Sequence, residues 1–251
     1  MPLKASRLYN QFILYLVTAL SKLAKQDFQS TQFRLKRLAH KLFGYKTDLV
    51  ESCLQPEKRQ ALLSCLQNTK NIPGDIIECG VYRAGITLVM ADTLRSSGSS
   101  KIIHGFDSFE GMPEALNQDA LPTGQIVYHQ GVLSTTSLVM VMEKMKVFGH
   151  QDRVVFHKGF FQDTMPGAIS ADSRFSFVLI DCDQYAGTKF CLEFLYEKVN
   201  PGGMILIDDY FLPENLDTPG VKIAVDEFLQ GKSEAGLLGE LALSLYGFRK
   251  I

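Results

Sequence analysis

The sequence predicts an α/β protein with a mostly parallel sheet and helices on both of its faces. Two patterns favour this fold. Short apolar runs alternate with helical segments from residue 75 onward, and acidic residues follow directly after several of these runs. Short apolar runs are typical of buried parallel strands, and the connections between such strands are right-handed, which places helices on both faces of the sheet.

The expected elements are bounded by turn residues. Strands are expected at 75–79, 102–106, 153–156, 175–180 and 204–207, with two further strands around a turn in 237–251. Helices are expected from Pro56 to about residue 66 and at 85–94, 136–147, 188–198 and 221–229. The sequence Asn-Pro-Gly-Gly at 200–203 predicts a turn before the fifth strand. The irregular stretch 107–135 exceeds the usual loop length and is expected to be a lid or a binding loop.

The N-terminal part of the chain is expected to be helical. Apolar residues recur at helical spacing over 5–25 and 28–43, and Gly44 is a usual helix stop. We therefore divide the chain into a helical extension or cap over 1–70 and a catalytic domain over 71–251. The extension is a candidate surface for forming a homodimer.

Charge is distributed unevenly along the chain. Residues 1–46 hold nine Lys or Arg and one acidic residue, whereas the whole chain has a formal net charge of −1. A net charge near zero gives no argument for a nucleic-acid partner. The apolar run 12–20 is too short to span a bilayer and lacks a following signal-peptide cleavage site, so a cytoplasmic protein is expected. Contact of this basic helix with a membrane surface is the alternative.

The five cysteines form no C-x-x-C pair and lie mostly in apolar segments. This pattern is typical of small buried hydrophobic side chains in a reducing compartment. Zinc is therefore not expected as a ligand of this chain.

Four carboxylates are the most informative group in the sequence. Asp181 and Asp183 follow one apolar run, and Asp208 and Asp209 follow another. Because open α/β sheets bind ligands at the carboxyl ends of their strands, these side chains are expected to converge. Asp181, Asp208 and Asp209 form an oxygen-rich set that suits Mg²⁺, Mn²⁺ or Ca²⁺. The alternative is that Asp183 and Asp209 cap helices.

A glycine-containing turn, Glu78 to Gly85, joins the first strand to the first helix after it. Gly80 and Gly85 allow a tight turn and a close approach to a ligand, but the turn is neither G-x-G-x-x-G nor a P-loop. An acidic residue here suits the positive charge of S-adenosylmethionine, although an ordinary strand-to-helix turn would also explain the glycines. Asp107 ends the second strand, where doubly wound folds place a carboxylate that binds a ribose.

One histidine is a candidate proton acceptor. His129 lies in the lid loop, whereas the other four histidines are scattered without metal-ligand spacing. A solvated loop histidine is the alternative interpretation.

Five motifs together resemble the macrocin O-methyltransferase (TylF/MycF) family. They are ECGVYRAG at 78–85, DSFEGMP at 107–113, GFFQDTMP at 159–166, DCDQY at 181–185, and PGG at 201–203 followed by DDY at 208–210. The resemblance implies a class I methyltransferase (Rossmann-like) fold with a seven-stranded sheet. It also implies an enzyme dependent on S-adenosylmethionine and Mg²⁺ that methylates sugar hydroxyls of natural products, usually as a dimer.

The resemblance implies roles for individual residues. Metal ligands fall on Asp181, Asp208 and Asp209. Cofactor contacts fall on Glu78, Cys79, Gly80, Val81, Tyr82, Arg83, Gly85, Asp107, Ser108, Asp163 and Asp181. The catalytic base falls on Asp183 or on His129. Cys182 stands where the family usually has Gly, and the run at 184–187 departs from the family's Leu-Tyr-Glu-Ser.

The expected activity is methyl transfer to a hydroxyl of a small-molecule acceptor, such as a sugar or another vicinal diol. Two alternatives stay open at this point. One is a metal-dependent hydrolase that uses the acidic cluster with two cations. The other is a non-catalytic binding protein that kept a methyltransferase fold.

Overall fold

The structure, a computed structural model, describes residues 33–35, 37–38, 52–210, 219–230, 232 and 235–251. Within the predicted helix 28–43, residues 33–35 and 37–38 are helical. The rest of that helix and all of the predicted helix 5–25 lie outside the described residues. The dimer surface and the membrane contact proposed for them lie outside as well.

The apolar runs form one sheet of seven strands. The strands are β1 (Asp75–Cys79), β2 (Ile103–Asp107), β3 (Val154–Lys158), β4 (Phe175–Ile180), β5 (Val199–Ile207), β6 (Ala235–Ala242) and β7 (Leu245–Lys250). Their order in the sheet is β3-β2-β1-β4-β5-β7-β6. The first five strands pair in parallel, and β7 pairs antiparallel with both β5 and β6. The predicted α/β class with a mostly parallel sheet is confirmed.

Helices cover both faces of this sheet. They are α1 (Pro56–Asn68), α2 (Gly85–Ser96), α3 (Leu138–Phe148), α4 (Phe161–Ala168), α5 (Tyr185–Leu195) and α6 (Pro219–Leu229), with 3₁₀ turns at Asn117–Asp119 and Tyr196–Lys198. None of the helices described is both long enough and apolar enough to cross a membrane.

Alternation along the strands divides the core into two layers. In β1 the side chain of Ile76 joins a cluster with α1, α2 and α3, whereas that of Ile77 joins a cluster with α4, α5 and α6. Both side chains are fully buried, because successive residues of a strand point to opposite faces and each face carries helices.

Two elements differ from the sequence-based expectation. Helix α4 was not predicted, because Pro166 and Gly167 lie within it and both disfavour a helix; the burial of Met165 in the core stabilises it instead. The turn expected at 200–203 lies within β5. There Val199 pairs with Phe175 and Met204 pairs with Phe177, so the intervening residues bulge out of the ladder.

The central strands end in one row. Cys79 pairs with Phe106 on one side and with Ile180 on the other, and Ile180 pairs with Ile207. Backbone hydrogen bonds continue one residue further, from Asp181 N to the Cys79 carbonyl at 2.8 Å and from Asp208 N to the Ile180 carbonyl at 2.9 Å. The sheet register therefore aligns the residues that follow β1, β4 and β5 along one edge.

Gly80 makes this close alignment possible. Its φ is +90°, and a Cβ built on it would lie 1.8 Å from the backbone oxygen of Asp181. No side chain fits between two backbone segments that are this close, so the position requires glycine for space as well as for its backbone conformation.

We expect Gly80→Ala to lower the free energy of unfolding by about 3 kcal/mol or more, because backbone strain and a backbone clash add together. Gly98→Ala is the matched control. Gly98 has φ +68° and open space around its Cβ position, so its substitution should cost only about 1 kcal/mol of strain. Urea unfolding measures both values, and equal losses would show that the clash is relieved without cost.

Candidate active site

A cavity of about 460 Å³ lies where the parallel strands end. Its walls come from the turns after β1, β2, β4 and β5, from the start of α1, and from the lid loop. The aligned register of the strands explains this convergence, since every one of these turns begins at the same edge of the sheet.

The predicted metal ligands meet on the floor of this cavity. One carboxylate oxygen from each of Asp181, Asp208 and Asp209 lies within 4.8 Å of the others. Asp183 also lines the cavity and forms a hydrogen bond with Asp209. The structure thus brings together all four carboxylates that the sequence singled out.

Asp183 is not a helix cap. Helix α5 begins at Tyr185, its N-cap residue is Gln184, and the Gln184 side chain makes no capping hydrogen bond. Asp183 and Asp209 both adopt the left-handed backbone conformation, with φ of +55° and +60°. Non-glycine residues rarely hold this conformation, and it is concentrated at sites where function depends on the backbone geometry.

A lysine completes the cluster, and the sequence did not single it out. Lys58 Nζ lies 2.6 Å from Asp208 Oδ1 and 3.2 Å from Asp209 Oδ1. The residue is 8% exposed and comes from the first turn of α1. Nothing in the local sequence marks Lys58, because its partners are 150 residues away in the chain.

Crowding raises the proton affinity of the acids. Burial, followed by repulsion from neighbouring aspartates, raises the pKa of Asp181 and of Asp183 well above the ordinary value. Burial and Asp209 raise the pKa of Asp208 to about 6, although Lys58 opposes this shift. Burial disfavours the Lys58 ammonium, but Asp208 and Asp209 outweigh burial and raise the pKa of Lys58. The cluster therefore favours any additional positive charge.

Glu78, in the turn after β1, is 1% exposed and accepts a hydrogen bond of 2.5 Å from Thr87 Oγ1. Burial raises the pKa of Glu78 to about 8 despite this bond, and the charge of Asp107 adds to the rise. At neutral pH the Glu78 carboxyl therefore holds a proton. A cation bound beside it would favour the carboxylate form.

Asp107 holds the glycine turn in place. Its Oδ2 accepts hydrogen bonds from the backbone N–H groups of Val81 and Tyr82, at 2.9 and 2.8 Å. Its Oδ1 accepts one from Phe109 N at 2.7 Å. A carboxylate has about four acceptor positions, so Asp107, which lines the cavity, keeps capacity for one more donor.

The remaining predicted site residues divide into two groups. Those that line the cavity are Gly80, Val81, Tyr82, Arg83, Gly85 and Ser108. Cys79, Asp163 and His129 do not line it. Cys79 is fully buried in the core, and Asp163 points to solvent in the first turn of α4. His129 is exposed, with Nδ1 3.2 Å from the Gln130 carbonyl, so the structure gives it no contact with the acidic cluster.

The lid loop lines the cavity and is joined at its base by backbone hydrogen bonds. Met112 N donates to the Val132 carbonyl at 2.8 Å, and Gly131 N donates to the Met112 carbonyl at 3.0 Å. Tyr128 and Leu133 on one side of the loop, and Pro113 on the other, line the cavity. The lid therefore forms part of the cavity wall.

Two buried polar side chains hold the lid to α5. Gln184 Nε2 donates to the carbonyls of Tyr128 and Pro113, at 2.7 and 3.2 Å. Asp119, from the lid, accepts a hydrogen bond from Tyr185 N at 2.7 Å. Gln184 lies where the sequence departs from the family resemblance, so this departure has a structural counterpart in how the lid is fastened.

Comparison with known proteins identifies the family. The family described as macrocin-O-methyltransferase (TylF) matches residues 52–236. The chain belongs to the macrocin-O-methyltransferase family. The matched range contains Lys58, the lid and all four aspartates.

Two relatives and one solved structure illustrate the similarity. An 8-demethyl-8-(2,3-dimethoxy-alpha-L-rhamnosyl)-tetracenomycin-C 4'-O-methyltransferase from Streptomyces olivaceus is 37% identical over 55% of this chain and 54% of its own length. The matched part of the chain therefore spans about half of that relative. A mycinamicin III 3''-O-methyltransferase from Micromonospora griseorubida is 30% identical over 70% of this chain and 67% of its own. The O-methyltransferase NovP has a TM-score of 0.67 and 26% identity, covering 77% of this chain and 79% of that one.

These findings confirm two predictions about this family member. The family resemblance and the class I methyltransferase fold are both correct.

The buried Glu78 predicts a specific pH dependence of the stability of this protein. The pKa is about 8 in the folded protein and near 4.5 when unfolded. Stability from the protonated carboxyl is therefore fully present below pH 4.5 and is lost as pH rises towards 8. Relative to Glu78→Gln, which cannot ionise, the wild type should lose about 1.4 kcal/mol of unfolding free energy per pH unit in this window.

Urea unfolding of both proteins from pH 5 to pH 8 measures this difference, and comparing the two cancels the titration of the aspartates. Glu193→Gln, at an exposed position, is the control and should track the wild type. A constant difference between Glu78→Gln and the wild type would show that Glu78 is ionised throughout.

Proposed function

We propose that this chain is an S-adenosylmethionine- and Mg²⁺-dependent O-methyltransferase that acts on one hydroxyl of a vicinal diol in a small-molecule natural product. The observation that carries the proposal is the position of three clustered carboxylates, those of Asp181, Asp208 and Asp209, beside the Gly80 turn in one cavity. A diol can bind a hard cation through two oxygens, and the turn can hold a donor next to it.

The turn residues fit S-adenosylmethionine. Gly80 leaves the backbone free of a Cβ at the cavity edge, Asp107 has acceptor capacity for a ribose hydroxyl, and Glu78 lies within the same wall. A cavity of about 460 Å³ has the size of a small-molecule site. When bound, S-adenosylmethionine supplies an electrophilic methyl group.

The acidic cluster fits Mg²⁺. Three carboxylate oxygens within 4.8 Å of one another are hard ligands, and the raised pKa values of Asp181, Asp183 and Asp208 show that positive charge stabilises the group. When bound, Mg²⁺ supplies a Lewis acid that lowers the pKa of a coordinated hydroxyl.

The residues of the chain align the acceptor and remove its proton. We assign proton acceptance to Asp183, which lines the cavity beside the clustered carboxylates and whose pKa is raised by burial and by Asp209. A positioned carboxylate of raised proton affinity is a stronger general base. The lid, held by Gln184, excludes water and positions the acceptor against the floor. His129 has no part in this proposal, because it lies outside the cavity wall.

Two considerations support a sugar diol as the acceptor: the compounds for which the relatives are named, and the acidic cluster that would bind a cation. The two relatives described above are named for methylation at 4' and 3'' positions, and the first is named for a rhamnosyl compound. A sugar hydroxyl with an oxygen substituent on the next carbon satisfies both considerations. In the compound for which the first relative is named, the substituent at position 3 is a methoxy group, whereas the acceptor that we propose carries a hydroxyl there. Dimer formation and a cytoplasmic location stay predictions.

Binding experiments test the proposal without knowledge of the acceptor. In isothermal titration calorimetry we expect S-adenosylhomocysteine to bind the wild type with a micromolar Kd, and Mg²⁺ to bind as well. Asp208→Asn should weaken Mg²⁺ binding at least tenfold, because one of three charged ligands is lost. Asp163→Asn, at an exposed position, is the matched control and should bind Mg²⁺ as the wild type does.

Two outcomes would contradict the proposal. Absence of S-adenosylhomocysteine binding would favour the hydrolase alternative, which needs no donor site. Equal Mg²⁺ affinity in Asp208→Asn and the wild type would show that Mg²⁺ does not bind at the acidic cluster.

Asp183→Asn tests the proton acceptor. Its amide cannot take up the proton, so we expect kcat to fall at least about a hundredfold while S-adenosylhomocysteine and Mg²⁺ still bind. Transfer of the methyl group from labelled S-adenosylmethionine to a panel of glycosides measures this, and each glycoside is paired with its deoxy analogue lacking the neighbouring hydroxyl. Comparable rates for Asp183→Asn and the wild type would rule out this role. Equal use of the deoxy analogues would rule out the diol.

A further inference from the structure

We propose that Lys58 is the internal counter-cation of the acidic cluster and that it competes with the divalent metal ion for Asp208 and Asp209. This inference rests on the proposed metal site and adds a residue that the sequence motifs do not include. Helix α1, which carries Lys58, then has a direct role in setting the affinity of the enzyme for the metal ion.

The contacts of Lys58 are the first argument for competition with the metal ion. Its ammonium lies 2.6 Å from Asp208 Oδ1 and 3.2 Å from Asp209 Oδ1. Both residues are among the three whose oxygens cluster within 4.8 Å. The ammonium thus contacts two of the three candidate metal ligands.

The charges of the cluster are the second argument for competition between Lys58 and the metal ion. Four aspartates converge on the cavity floor, and Lys58 is the cation paired with them among the contacts described. Removing the lysine charge would leave the carboxylates to repel one another across a poorly hydrated site. A divalent ion would neutralise them better, but an ammonium and Mg²⁺ held by the same carboxylates repel each other. The two cations therefore compete for the carboxylates of Asp208 and Asp209.

The position of Lys58 is the third argument, because it allows the side chain to move away from the aspartates. The residue is in the first turn of α1, and its side chain lines the cavity rather than the packed core. A lysine stem is long and flexible, so Nζ can leave the carboxylates without unfolding the helix. On the same helix, Leu62 and Leu66 are buried in the core cluster and keep α1 in place.

Lys58→Met tests the competition, because methionine preserves much of the stem and removes the charge. We expect Mg²⁺ to bind Lys58→Met at least about tenfold more tightly than the wild type in calorimetry. In the absence of metal its Tm should be lower than that of the wild type, and the rise in Tm on adding MgCl₂ should be larger.

Two further variants separate charge at this site from charge in general. Lys58→Arg keeps a cation beside the aspartates and should bind Mg²⁺ no more tightly than the wild type. Lys70→Met makes the same chemical change at an exposed residue just beyond the other end of α1. It should leave both the Mg²⁺ affinity and the response of Tm to MgCl₂ unchanged.

A measurement on the wild type keeps the test valid even if Lys58→Met does not fold. In protein with ¹⁵N-labelled lysine, a buried hydrogen-bonded ammonium gives its own ¹⁵N signal, which Lys58→Arg identifies by its loss. Titration with MgCl₂ should shift or remove this signal as the metal binds.

The outcomes distinguish this inference from the proposed function. If the wild type and Lys58→Met both fail to bind Mg²⁺, the metal site itself is wrong. If the wild type binds Mg²⁺ while Lys58→Met binds it equally or more weakly, or if the Lys58 signal is unchanged at saturating MgCl₂, the competition is wrong and the metal site stands.

Discussion

Repulsion among carboxylates at one edge of the sheet is the constraint on which the site depends. Parallel pairing in register brings the residues after β4 and β5 side by side, so their acidic side chains cannot separate. Two effects reduce this repulsion. The pKa values of Asp181, Asp183 and Asp208 are raised, so these acids bind protons more readily. The ammonium of Lys58 also lies against Asp208 and supplies a positive charge. We propose that the same crowding gives the cluster its affinity for a divalent ion, so the repulsion among the acids and their proposed function have one physical cause.

The surroundings of the cluster are built from the same sheet edge. Gly80 lets the turn after β1 pass within contact of the Asp181 backbone, and Asp107 fixes that turn through two backbone N–H groups. On the opposite side of the cavity, Gln184 and Asp119 hold the lid against the start of α5. The glycine turn, the acidic floor and the lid therefore depend on a few polar contacts anchored on rigid strands, an arrangement that leaves the side chains of the cavity little freedom.

Much of this organisation could be predicted because it follows from local pattern. The strands at 75–79 and 175–180 were predicted with their observed bounds, since apolar runs between turn residues are a strong local signal. Helix α4 was missed because Pro166 and Gly167 argue against a helix locally, whereas burial of Met165 is a tertiary effect. His129 was a reasonable candidate from its place in the lid, but the direction of a loop side chain depends on how the loop folds back, which no short pattern encodes.

The sequence by itself determined the fold class, the family and the four aspartates of the cavity floor. The fold class and the family follow from short motifs of neighbouring residues. The meeting of the aspartates follows from the rule that parallel strands bind ligands at their carboxyl ends. Only the tertiary structure decided which polar groups those aspartates contact. Lys58 reaches Asp208 across 150 residues of chain, and Gln184 reaches carbonyls of a lid loop more than 50 residues away. Such contacts depend on how helices and loops pack on the finished sheet, and that packing has no periodic signature in the sequence.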